Sequence, residues 1–137
     1  MSRYTKAQRI ADFFERMENA GFNRIETQAL RRIEMTLQRW GERECGDGSN
    51  WAIERDETTG KPFNVYHGEG KPRRYPIPDR EKGALKRLAK IMELHPEFIA
   101  YHQGDCRGCN LYLVRKIDIK PGEDIGSVYS RGIAVCY

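Results

Sequence analysis

Between residues 5 and 20 the apolar positions Ala7, Ile10, Ala11, Phe14 and Met17 recur at steps of one helix face. Thr5 is placed to cap the start and Gly21 to end it. A second helix is predicted over 26–44, where Leu30, Ile33, Leu37 and Trp40 form a narrow apolar seam. The short 21–23 link favours an antiparallel helical hairpin, and Gly-Asp-Gly-Ser-Asn at 46–50 breaks the helical pattern. Then the period changes. Segments 51–55 and 62–66 read as strands around the turn-rich 56–61, with Gly60 able to take a positive φ. Segment 73–77 reads as a third, short strand, which Pro76 and Pro78 confine to a sheet edge.

A third helix runs from its cap at Asp79 to about residue 94, with Ala84, Leu85, Leu88, Ala89 and Met92 inward. Lys82, Lys86 and Lys90 line a different face at i, i+4 and i+8. Strands are predicted at 98–103, 111–116 and 132–137, with a turn at 120–124 and a short helical turn at 125–129. Helices are thus segregated from an antiparallel sheet, which defines an α+β fold. One domain over 1–137 is expected, with a helical hairpin at 1–45 and a mixed sheet carrying one helix at 46–137.

Composition fits this picture: of 137 residues, 39% are apolar and 32% charged, a globular balance. No apolar run approaches the roughly 20 residues that cross a bilayer. The N-terminal segment lacks the apolar core of a secretory signal, so a cytosolic protein is expected. Cys45, Cys106, Cys109 and Cys136 then read as reduced or metal-bound thiols rather than two disulfides. The net charge of +4 is unevenly placed. Lys71, Arg73, Arg74, Arg80, Lys82, Lys86, Arg87 and Lys90 against Asp79 and Glu81 give 8 − 2 = +6, so the remainder sums to −2. Such a concentration points to an anionic partner, or to a solvated helix face that provides solubility.

Candidate chemistry centres on Tyr-His-Gln-Gly-Asp-Cys-Arg-Gly-Cys-Asn at 101–110. Cys106 and Cys109 have the spacing of a zinc knuckle, yet tetrahedral zinc needs four ligands and no second pair is present. Cys45, Cys136 and His102 would have to converge from separate places, so no cofactor is expected and zinc is the weaker alternative. The thiols read equally as small apolar residues at a sheet's end. No Gly-x-Ser-x-Gly, phosphate-binding glycine loop or His-Glu-x-x-His occurs, and no enzymatic activity is expected. Arg73, Arg74 and Tyr75 place two cations and a ring on the expected edge strand, and Tyr101, Tyr112 and Tyr129 add sheet aromatics. These fit nucleic-acid binding by phosphate contact and stacking. The hairpin-tip residues Asp105 and Arg107, with Arg131, are candidates for protein contact. Asp105 and Arg107 also have a local explanation, as a turn-stabilising pair.

Several segments together resemble a family of small, uncharacterised proteins of tailed bacteriophages. They are Leu37-Gln38-Arg39-Trp40 with Glu44-Cys45-Gly46, the run from Ile53 to Pro62, Ile77-Pro78-Asp79-Arg80-Glu81, Gly104-Asp105-Cys106-Arg107-Gly108-Cys109, and Tyr129-Ser130-Arg131-Gly132-Ile133-Ala134-Val135. The family's turn resembles Asp-Pro-Arg-Gly, so Cys106 stands where a proline is expected, which argues against an obligatory zinc pair. The resemblance implies an accessory protein acting in the bacterial host's cytoplasm by binding a host protein or ribonucleoprotein. Inhibition of a defence complex such as a CRISPR effector would fit such an origin. The binding candidates are then Lys71, Arg73, Arg74, Tyr75, Arg80, Lys82, Lys86, Arg87, Lys90, Tyr101, Asp105, Arg107 and Arg131.

Overall fold

The computed structural model describes the backbone over residues 4–43, 50–55, 58, 62–66, 73–75, 82–103 and 111–137, and side chains over 4–38, 58, 83–102 and 111–137. Helix α1 spans Lys6–Asn19. Its start is a reciprocal cap: Gln8 N donates to Thr5 Oγ1 at 3.2 Å, and Thr5 N donates to Gln8 Oε1 at 2.7 Å. Phe13 and Met17 are its fully buried residues, with Phe14 half-buried, while Ala7 and Ala11 are exposed. The buried stripe therefore lies about one residue's rotation from the expected face, because Phe13 removes far more apolar area from water than alanine can. Gly21, at φ +99°, ends the helix in the left-handed conformation that favours glycine.

Helix α2 covers Arg24–Arg43 and begins two residues before its expected start. Asn23 and Glu26 form a second reciprocal cap, with Glu26 N donating to Asn23 Oδ1 at 2.8 Å and Asn23 N to Glu26 Oε1 at 2.9 Å. Leu30, Ile33 and Leu37 are buried as the periodicity predicts; the Trp40 side chain lies outside the described residues. Helix α3, Lys82–Glu93, buries Ala84, Leu85, Leu88, Ala89 and Met92, all as expected. Its proposed cap, Asp79, lies outside the described residues.

Strands β1 (Asn50–Arg55), β2 (Pro62–Tyr66), β3 (Arg73–Tyr75), β4 (Phe98–Gln103), β5 (Leu111–Arg115) and β6 (Ile133–Ala134) form one sheet in the order β3-β2-β1-β4-β5-β6. All its pairings are antiparallel. β3 is an edge strand, as the flanking prolines predict. The β1–β4 pairing, with Ala52 opposite Tyr101, fuses the first hairpin and the final meander into a single sheet. β6 holds two residues where six were expected; beyond it Val135 N still donates to Leu111 O at 2.9 Å. Helix α4, Ile125–Val128, is the expected short turn, capped by Asp124.

Alternation along β4 and β5 divides the core in two. Phe98, Ala100, Leu111 and Leu113 pack with α1, α2 and α3, while Ile99, Tyr101 and Val114 pack with Ile125 and the half-buried Tyr112, Ile119 and Tyr129. The arrangement is α+β, with three helices on one face of the sheet and the 116–131 segment on the other.

Candidate functional site

The outward surface of α3 follows from the helical period. With Leu85, Leu88, Ala89 and Met92 buried, Lys86, Arg87 and Lys90 are forced to the opposite side, and all three are exposed. Lys86 and Lys90 are one turn apart, about 6 Å along the axis. None of the three forms an ion pair with a described carboxylate. Lys82 opens α3 in backbone, and its side chain lies outside the described residues.

The rest of the expected basic ribbon precedes α3 in the chain. Arg73, Arg74 and Tyr75 are β3, opposite Tyr66, Val65 and Asn64. The sheet order places β3 three strand spacings from β4, roughly 14 Å, whereas α3 packs against β4 and α2. Lys71, Arg80, Asp105, Arg107 and the thiols Cys106 and Cys109 lie outside the described residues. The side chains of Arg73, Arg74 and Tyr75, like the 76–81 link from β3 to α3, lie outside the described residues.

Two candidates are held by internal contacts. Tyr101 is 1% exposed, not a surface ring: it stacks on Tyr129 at a centroid distance of 4.8 Å and 15° between planes. Burial, with Tyr129 and Asp124 nearby, pushes its phenol far above the ordinary range. Tyr112 meets Tyr129 edge-on at 4.8 Å, so the three tyrosines pack the second face of the sheet. Arg131 is clamped by Glu123, its Nη1 and Nη2 each donating at 2.7 Å to one carboxylate oxygen, and Nη1 also donating to Asp118 O at 3.1 Å. The Arg131 hydrogen bond and a backbone bond from Lys120 hold the Glu123 carboxyl down at about 2. This cation orders the segment between β5 and β6 rather than standing ready for a partner.

Two further clusters join residues far apart in the chain. At one end of the helical layer, His95 Nε2 lies 2.7 Å from Glu26 Oε2, and its ring stacks on Phe22 at 4.0 Å. The Asn23-x-x-Glu26 cap was legible in sequence; its link to His95 was not. Beside α2, a groove runs past Phe14, Arg24, Gln28, Arg31, Arg32, Met35 and Tyr137. The Arg31 guanidinium lies over the Tyr137 ring at 4.7 Å and pairs at 2.5 Å with Glu34, itself 1% exposed. Nothing local in the α2 sequence reveals that Tyr137 returns to it.

Among the described residues no group of three His, Cys, Asp or Glu side chains converges to hold a metal ion. His102, fully buried, has its imidazole lowered to about 4 by burial, which keeps it neutral. No described helix is long and apolar enough to cross a membrane. No protein-family model, curated protein or solved structure matches the chain.

Proposed function

We propose that this chain is a bacteriophage accessory protein that acts without chemistry of its own, binding a host macromolecule in the bacterial cytoplasm through the cationic face of α3. The observation that carries this reading is the cluster Lys86, Arg87 and Lys90, exposed on one helix face with no described carboxylate neutralising it. Charge held outward in this way attracts an acidic surface over a Debye length and accelerates encounter. The phage origin rests on the motif resemblance around Gly60, Arg80 and Arg107, and a host defence complex, including a CRISPR effector, is the partner class that origin supports. Binding to an acidic protein surface is favoured over base stacking, because Tyr101 and Tyr129 spend their rings on each other.

A pull-down from bacterial lysate with mass-spectrometric identification tests the reading, comparing the wild type with Lys86→Glu/Arg87→Glu/Lys90→Glu. A protein captured by the wild type and lost by the triple variant supports it. Tight binding of random oligonucleotides with a steep salt slope would replace it with nucleic-acid recognition. Equal capture by both proteins would remove α3 from the interface.

A further inference from the structure

The α1–α2 side of the molecule carries a second surface, built differently from α3. Two clefts of about 550 and 390 Å³ share Phe14 as a wall and follow α2 from Asn23 to Met35, a run of roughly 18 Å along the helix axis. Arg24, Gln28, Arg31, Arg32 and Met35 fall at i, i+4, i+7, i+8 and i+11, one face of α2. The groove's apolar elements are Phe14, the buried Phe22, Met35 (40% exposed) and Tyr137 (39% exposed). Two arginines lie over its rings: Arg24 over Phe14 at 5.6 Å and Arg31 over Tyr137 at 4.7 Å. A guanidinium laid on a ring keeps its donors directed outward at the rim.

The arginines are not equivalent. Arg31 is committed to the buried Glu34, to which it donates at 2.5 Å. Arg32 donates from Nε to Gln28 O at 3.4 Å, and neither it nor Arg24 pairs with a described carboxylate. Glu18, at the end away from Met35, is the acid lining the clefts. The groove thus offers an apolar floor flanked by two positive charges that pair with no described carboxylate, with Glu18 at one end.

We propose that this groove docks an acidic segment of a partner protein, its apolar side chains on Phe14, Met35 and Tyr137 and its carboxylates at Arg24 and Arg32. An apolar floor with two separated cations suits a peptide with alternating apolar and acidic faces better than a phosphate backbone, which demands a longer row of cations. The surface is distinct from the α3 face, since α2 contacts both α1 and α3 and the groove faces the α1 side.

The test uses fluorescein-labelled peptides of about 14 residues, long enough to follow the groove as a helix. One carries leucines at helical spacing with glutamates between; the others replace glutamate by glutamine or by lysine. Saturable anisotropy with the glutamate peptide, weaker by about tenfold for glutamine, is expected. Arg24→Glu/Arg32→Glu should weaken the glutamate peptide by about a hundredfold and favour the lysine peptide. Lys116→Glu, in the segment on the other face of the sheet, should leave all three affinities unchanged. Arg24→Gln/Arg32→Gln repeats the test without charge reversal should the first variant fold poorly. No saturation, equal glutamate and glutamine affinities, or indifference to both arginine pairs would overturn the proposal. So would self-association abolished by Arg24→Glu/Arg32→Glu in sedimentation, or displacement of the peptide by an oligonucleotide.

Discussion

The ring of Tyr101 on β4 lies against the ring of Tyr129, with centroids 4.8 Å apart and planes 15° from parallel. That contact ties the sheet to the 116–131 segment and converts a stretch of chain with little regular structure into the cover of the second core face. Ile99, Val114 and Ile125 complete the cluster. Replacing Tyr101 by Ala should lower unfolding free energy by about 3–4 kcal/mol, the range for large aromatic truncations in a core. Oligonucleotide affinity should not change at all, because the ring is not on the surface. Urea midpoints and an anisotropy titration check the two halves; a loss of oligonucleotide binding with unchanged stability would contradict both.

Residues near one another in sequence were the readable part of this fold. The seam Leu85, Leu88, Ala89 and Met92 fixes which side of α3 is buried, and Lys86 and Lys90 follow to the outside without further information. In α1 the same reasoning chose Ala7 and Ala11, because periodicity alone does not weigh a methyl group against a phenyl ring. What covers a strand was not readable. Alternation says that Tyr101 and Ala100 point to opposite faces, yet only the return of the chain at Ile125 and Tyr129 decides that both faces are buried. The joining of β1 to β4 was hidden for the same reason, since partners such as Ala52 and Tyr101 are far apart in sequence. Of the candidate site, the α3 face was legible, whereas the loss of Arg131 to Glu123 depended on the path of a turn.

His102 should make the fold acid-sensitive. It is fully buried on β4, opposite Trp51 and Leu111 in register, and burial holds its imidazole at about 4 in the folded chain. In the unfolded chain the group titrates near 6.5, so between those values the unfolded state binds more protons. Stability from this group is complete above about pH 6.5 and is lost as pH falls toward 4, by at most about 3 kcal/mol. Urea unfolding at pH 7.5, 5.5 and 4.5 measures it; His102→Gln should show a flatter dependence over that interval. Parallel slopes for the two proteins would exclude His102 as the cause.

Gly132 is required for space rather than for backbone freedom. A β-carbon there would stand 2.5 Å from Leu113 O and 2.8 Å from Val114 Cγ2, so a side chain must push the turn at 129–131 away from β5. Gly132→Ala is expected to cost about 1–3 kcal/mol through this overpacking. The shift should also loosen the clamp between Arg131 and Glu123, letting the Glu123 carboxyl rise from about 2 toward an ordinary value. Carbon-detected NMR titration reads that rise directly, and Arg131→Ala provides the unclamped reference. An unmoved Glu123 titration in a destabilised Gly132→Ala protein would separate the two effects.

Glu26 serves two elements at once, and its removal should reveal a coupling that neither element shows alone. Oε1 accepts from Asn23 N at 2.9 Å and so fixes the first turn of α2, while Oε2 lies 2.7 Å from His95 Nε2 beyond the end of α3. The imidazole is held flat on Phe22 at 4.0 Å, and Phe22 in turn meets Phe98 of β4 at 5.2 Å. One carboxylate therefore joins the α1–α2 turn, α3 and the sheet. Glu26→Ala should cost about 2–3 kcal/mol, the sum of a lost cap and a partly buried polar partner left unmet. Glu26→Gln keeps a cap acceptor and should cost less than half as much. In a double-mutant cycle with His95→Ala, the coupling energy should reach about 1 kcal/mol or more, as for residues that share a network. Strict additivity in that cycle would mean that the cap alone sets the role of Glu26, and that the stacking of His95 on Phe22 holds the helix ends together without it.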